Sequence, residues 1–196
     1  DLLENFFIRI LRGSGLKGLV SLDKKVKISQ IFLYRPLLDQ TKKDLEFLSK
    51  YVFNFYVKDP YNEDEKFQRI RIRRILEELK NNGLDEKKFI KTLSNLKGSN
   101  KVVEFYVEKN LKKNSFFYEK KNHLILKPSF FQQPDEIVFR SFSDSLQFIG
   151  RKYYAVRGIK LTKIIYQIKN NVLFKATLGG CIIEKVNETV IISKER

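Results

Sequence analysis

The chain has 196 residues, 42% of them hydrophobic and 13% aromatic, and its 39 Lys and Arg against 23 Asp and Glu give a formal net charge of +16. That much apolar material excludes a disordered tail, and cations spread along the whole chain point to a polyanionic partner, nucleic acid first. One cysteine and one histidine exclude an internal disulfide and a structural zinc site, and no apolar run approaches the roughly 18 residues of a spanning helix, so a cytoplasmic, membrane-free protein is expected.

Leu2, Leu3, Phe6, Phe7, Ile10 and Leu11 recur on one helical face from the first residues onward. With no methionine anywhere, the start reads as a cut edge with further residues upstream. Gly13, Gly15 and Gly18 then stop the helix. A glycine loop after a helix is a weak phosphate signal, because the stronger geometry sets the glycines before a helix.

Residues 31–34 read as a short buried strand, 35–38 as a turn, and 41–51 as a helix capped by Thr41 with Asp44 at its third position. A second strand is expected over 53–57. This order implies the C-terminal end of a parallel α/β nucleotide-binding domain, closed by a turn at Asp59 and an arginine-rich helix. On that helix Arg69 and Arg73 share one side, while Ile72, Ile75, Leu76 and Leu79 form an apolar stripe that anchors it. Guanidinium forks held in this way suit phosphate oxygens better than lysines would.

A domain boundary is expected near residue 80. Helical segments follow, with Phe89, Ile90, Leu93 and Leu96 on one face and a second stretch over 102–111. Residues 115–118 and 124–126 read as a hairpin. Pro134 opens a helix striped by Val138, Phe142, Leu146 and Ile149, and Leu161, Ile164, Ile165 and Ile168 mark one more. Apolar or alternating runs over 174–178, 181–186 and 189–193 make a small antiparallel end-piece. The expected architecture is thus α/β: a nucleotide-binding part over 1–80, a helical part with the hairpin over 81–130, and a small α+β domain over 131–196.

Asp1, Asn5, Arg9 and Arg12 fall within one arc of the first helix, with Glu4 beside them. Acids grouped in this way can hold a hydrated magnesium ion whose shell substrate phosphates complete. Cys181, between Gly-Gly and Ile-Ile, reads as a buried, inert thiol, and His123 as a surface residue. Residues 150–160 interleave Arg151, Lys152, Arg157 and Lys160 with Tyr153 and Tyr154. The cations suit phosphates; the tyrosines suit unpaired bases, or core packing for one of the two.

Four segments in order carry a family resemblance: Asp1-Leu2-Leu3-Glu4-Asn5; Leu11-Arg12-Gly13-Ser14-Gly15-Leu16-Lys17-Gly18-Leu19; Arg35-Pro36-Leu37-Leu38; and residues 59–73, with Asp59, Asn62, Arg69 and Arg73. Together they resemble the later two thirds of the tRNA(Ile)-lysidine synthetases, members of the PP-loop (N-type ATP pyrophosphatase) group. The resemblance implies an enzyme that uses ATP and magnesium to adenylate C2 of the wobble cytidine of an isoleucine tRNA with a CAU anticodon. The amine of L-lysine then displaces AMP. By matched position it implies catalytic parts for Asp1, Glu4, Arg69 and Arg73, with Asp1 on the metal. Arg12, Arg35 and Asn62 would face the nucleotide; Arg151, Lys152, Arg157 and Lys160, read above as phosphate contacts, lie in the part that resembles the family's tRNA-contacting accessory domains. A homodimer is entertained as the assembly.

The chain departs from the family pattern at Asn5, Tyr61 and Ile70, where Thr, Ser and Asn are usual, and lacks the proline expected after Arg73. The Ser-Gly-Gly-x-Asp-Ser phosphate loop is not among its residues, so these 196 residues alone are expected to be inactive. The competing reading is a non-catalytic basic RNA-binding module. A PP-loop tRNA thiolase is a third, disfavoured by the single cysteine.

Overall fold

The apolar spacing of the first helix is realised as α1, Leu2–Leu11, in a computed structural model that describes residues 2–28, 31–38, 40–55, 57 and 66–195. The helix ends in a Schellman turn. Gly13 adopts φ +66, its amide donates to the Ile10 carbonyl at 2.9 Å, and the Ser14 amide donates to the Arg9 carbonyl at 2.9 Å. Glycine takes that φ without a Cβ clash, and the two bonds satisfy carbonyls the helix end leaves open. A short helix, α2 (Leu16–Leu19), starts from Gly15. The first glycine is therefore a helix stop.

Next come β1, Lys25–Ile28, and β2, Ile31–Tyr34, an antiparallel pair with Lys25 opposite Tyr34 and Val26 opposite Leu33. Two expectations are corrected here. The 31–34 strand is not buried: all four of its side chains are exposed, because its one described partner is the adjacent hairpin strand. The strand expected over 53–57 is absent where the chain is described. Helix α3, Lys42–Phe53, runs to its first residue, and Asn54 ends it in the left-handed region at φ 58. The cap expected at Thr41 is present in both directions, with the Asp44 amide donating to Thr41 Oγ1 at 3.2 Å and the Thr41 amide to Asp44 Oδ2 at 3.3 Å. Without the second strand, no parallel sheet appears among the described residues.

Helix α4, Gln68–Asn81, buries Ile72 and Leu76 and packs against α1. Ile75 of the expected stripe lies exposed instead. Gly83 ends α4 as Gly13 ends α1, with φ +98 and the Leu84 amide donating to the Leu79 carbonyl at 2.8 Å. The two segments expected after residue 84 are one helix, α5 (Glu86–Asn114), continuous through Gly98. Its Phe89 meets Phe6 of α1 edge to face at 5.1 Å, and Leu93 is buried. An ion pair from Lys97 to Asp23, 3.2 Å, ties α5 to the segment before β1.

The chain divides into two compact units, 1–100 and 101–196. The second is built on a five-stranded antiparallel sheet with the order β3-β4-β7-β6-β5. Its strands are β3 (Ser115–Tyr118), β4 (His123–Leu126), β5 (Lys175–Leu178), β6 (Cys181–Val186) and β7 (Thr189–Lys194). The expected hairpin is present as β3 and β4, but Leu124 pairs with Ile192 of β7. A division at residue 130 would cut this sheet. Leu124, Leu126, Cys181, Ile183, Val190 and Ile192 point to one face, as the period of two requires.

That face is covered by α6 (Pro128–Phe131), α7 (Asp135–Gly150) and α8 (Gly158–Lys169). The expected stripes on α7 and α8 are buried throughout, with Val138, Phe142, Leu146 and Leu161 fully enclosed. Asn110 Nδ2 donates to Ser141 Oγ at 3.2 Å and Asn114 Nδ2 to Asn110 Oδ1 at 2.8 Å, so these two buried amides of α5 are hydrogen-bonded.

Cys181 is fully buried and donates to the Leu146 carbonyl, Sγ to O 3.3 Å. Burial pushes its thiol up to about 11, with the Glu195 charge adding to the rise and Lys152 opposing it. Cys181 is expected to resist a disulfide reagent at pH 8 until denaturant is added, because the thiolate is the reactive form. A thiol titration with and without guanidinium checks this.

Candidate functional site

Glu4 of α1 and two arginines of α4 form a closely bonded polar group in the first unit. Arg69 Nε donates to Glu4 Oε2 at 2.6 Å and Arg73 Nε to Glu4 Oε1 at 2.8 Å. The four-residue spacing stacks the arginines on one face of α4, and the α1–α4 packing brings Glu4 opposite both. One carboxylate thus fixes two guanidinium groups that lie 65 and 69 residues along the chain. The two links differ in exposure: the Glu4 side chain is 13% exposed, that of Arg73 35% and that of Arg69 53%. Solvent screens the Arg69 link more, so the Arg73 link is the stronger of the two.

Burial pushes the Glu4 carboxyl up, but the hydrogen bonds from Arg73 and Arg69 and then their charges outweigh it and hold the group below the ordinary carboxylate range. A lowered folded-state pKa means stability that is present above the unfolded value near 4.5 and is lost as pH falls through the folded value. In acid titrations followed by circular dichroism, wild-type protein is therefore expected to lose stability below pH 4.5 more steeply than Glu4→Gln.

Arg12 joins this group through α4, its Nη2 donating to Gln68 Oε1 at 3.4 Å. Gln68, next to Arg69, was not singled out in the sequence, where nothing but that adjacency marks it. Arg9, on α1 with Glu4, has a buried Nε with no hydrogen-bond acceptor among the described residues. Arg35 donates from Nη1 to the Asp23 carbonyl at 3.1 Å. Asp1 and Asn62 lie outside the described residues. The structure thus brings Glu4, Arg12, Arg69 and Arg73 together and ties Arg35 to Asp23. Among the described residues no group of three or more His, Cys, Asp or Glu could hold a metal ion.

The second unit carries a separate basic feature. Lys152, Arg157 and Lys160 line an open cleft of about 370 Å³ together with Tyr153, Tyr154 and the Gly179-Gly180 turn. Arg151, the fourth expected cation, takes a left-handed conformation at φ 50 at the end of α7 and does not line it. Neither tyrosine is core: Tyr153 is 67% and Tyr154 79% exposed. Their rings meet edge to face, 4.9 Å apart at 88°. The glycine turn, in β structure some 20 residues beyond the last of the cations, could not have been joined to them from the sequence.

Residues 1–80 match the family model of the PP-loop domain. The part of the first unit that carries Glu4 and the α4 arginines is therefore similar to a PP-loop domain, in a chain of mixed α/β structure. The whole chain is also similar to proteins named tRNA(Ile)-lysidine synthase. It is 30% identical over 198 residues to that of Wolbachia pipientis wMel, with 100% of this chain and 46% of the relative covered. For Orientia tsutsugamushi the identity is 30% over 207 residues, again with 100% and 46% covered. For Anaplasma marginale it is 28% over 187 residues, with 94% and 40% covered. The chain spans just under half the length of these curated relatives. The resemblance to the lysidine synthetases, carried in the sequence by four short motifs, thus extends along the chain. No helix among the described residues is long and apolar enough to cross a membrane.

Proposed function

We propose that this chain works within a tRNA(Ile)-lysidine synthetase, an ATP-dependent ligase that joins L-lysine to C2 of the wobble cytidine of an isoleucine tRNA with a CAU anticodon. The observation that carries the reading is the Glu4 carboxylate clamping Arg69 and Arg73, within a region that matches the PP-loop domain. In the first step the C2 oxygen of the cytidine attacks the α-phosphate of ATP and pyrophosphate leaves. In the second the lysine amine attacks C2, and AMP departs with the oxygen. Negative charge grows on phosphate oxygens in the first step, and guanidinium groups already fixed in place stabilise it with little rearrangement.

On this reading Arg69 and Arg73 meet the phosphates, and Glu4, with both oxygens engaged, positions them. Arg12 stands beside them on the nucleotide side, with Arg35 and Asn62 assigned there by matched position. Asp1 is assigned to the magnesium ion by matched position. The second unit, with Lys152, Arg157 and Lys160 in its cleft and Arg151 at its edge, holds the tRNA. The protein is placed in the cytoplasm.

The 196-residue chain, incubated with ATP, lysine and the cognate tRNA, is expected to yield no lysidine. Joined to an upstream segment bearing Ser-Gly-Gly-x-Asp-Ser, it is expected to yield it, as mass spectrometry of the digested tRNA would show. Lysidine made by the chain alone would mean that the ATP site lies elsewhere.

A further inference from the structure

We infer that the cleft of the second unit is a subsite for one unpaired nucleotide, its base stacked on the Tyr153–Tyr154 pair and its phosphate held by Arg157 and Lys160. The inference rests on the RNA reading of this cleft and goes beyond it, from a polyanion in general to a single-stranded element. Three features of the geometry carry it.

The first is the tyrosine pair. Two adjacent rings lie two thirds or more exposed, at 67% and 79%, where either could have been core. The edge of one against the face of the other fixes their relative orientation. A ring face held open in this way is a platform for a base, and every base has a π-face to lay on it. A base inside a duplex has both faces occupied by its neighbours, so an unpaired or terminal one fits.

The second is the placement of charge. Lys152, Arg157 and Lys160 line the same cleft as the tyrosines, so the cations stand within one nucleotide's reach of the platform. Phosphate contacts alone would position any nucleic acid; cations beside an aromatic face select a strand whose base is free to leave the stack.

The third is how the cleft is kept open. Gly179 and Gly180 take φ +66 and +75. A Cβ on Gly180 would stand 3.0 Å from Lys152 Cε, and one on Gly179 would stand 2.5 Å from Val156 Cγ1. The turn is therefore bare of side chains where it faces the 152–156 segment, and the space of about 370 Å³ stays near the low end of ligand clefts, roughly 300–1,000 Å³. That size suits one nucleotide.

The test uses the full 196-residue chain and a six-nucleotide single-stranded RNA carrying one 2-aminopurine, with a blunt duplex containing the same strand as comparison. Wild-type protein is expected to quench the 2-aminopurine of the single strand on binding and to bind the duplex more weakly. Tyr153→Ala/Tyr154→Ala is expected to lose the quenching and to weaken single-strand binding by roughly 5- to 100-fold, with the fold intact by circular dichroism. Tyr153→Phe/Tyr154→Phe should restore both, since the ring face remains. If the double alanine variant binds and quenches like wild type while Arg157→Ala/Lys160→Ala weakens binding to intact tRNA, the nucleotide subsite is refuted and the RNA reading stands. If Arg157→Ala/Lys160→Ala also leaves tRNA affinity unchanged, the cleft is not an RNA site and both readings fail.

Discussion

Replacing Arg73 by Ala, in this chain extended to the length of its relatives, is expected to lower turnover by about 10²- to 10³-fold while tRNA affinity changes little. The loss corresponds to about 3–4 kcal/mol of transition-state stabilisation, the scale seen when one fixed donor to a developing oxyanion is removed. Arg73 is chosen over Arg69 because it is the less exposed of the two partners of Glu4, at 35% against 53%. Arg73→Lys should recover only part of the rate: the charge stays, but the planar fork that donates to Glu4 and to phosphate together is gone. Single-turnover rates and tRNA dissociation constants for the three proteins check this. Loss of affinity with unchanged turnover would instead assign Arg73 to RNA binding.

Phe142→Ala is expected to destabilise the second unit by about 3–5 kcal/mol. Phe142 is fully enclosed and packs against Phe131, ring centroids 5.8 Å apart. Removing the ring leaves a cavity beneath the sheet, where the strands limit collapse. A small domain is stable by only about 5–15 kcal/mol, so a large part of the total is at stake. Phe174→Ala is the comparison, because that ring is 83% exposed and its loss should cost about 0.5 kcal/mol or less. Native-state hydrogen exchange of β6 and β7 amides reads both, without requiring the two units to unfold together.

The second unit was far more legible in the sequence than the first, and the reason is where each buries its apolar residues. Val138, Phe142, Leu146 and Ile149 repeat at helical spacing because one face of α7 lies on the sheet. The runs from Cys181 and from Thr189 alternate because their sheet has one buried face. In the first unit the same cues misled. Ile31–Tyr34 is as apolar as a central strand, yet all four residues are exposed in a two-stranded hairpin. Its partner, Lys-Val-Lys-Ile over Lys25–Ile28, carries a period-two alternation that would have identified it.

The candidate site divides in the same way. The shared face of Arg69 and Arg73 follows from their spacing, but that Glu4 spends both oxygens on them depends on how α1 meets α4, which periodicity does not fix. In the cleft, Arg157 and Lys160 were legible as cations beside tyrosines. The glycine turn that lines the cleft with them was not, since strand pairing and helix packing bring it there.

The most direct measurement follows the α-phosphate itself. With ATP labelled at that phosphate, the extended protein and the CAU-anticodon tRNA, and with lysine withheld, label is expected to accumulate on the tRNA as the adenylated cytidine; adding lysine should release it as AMP while lysine stays on the RNA. Tight tRNA binding with no label ever transferred would contradict the ligase reading and leave a basic RNA-binding module in its place.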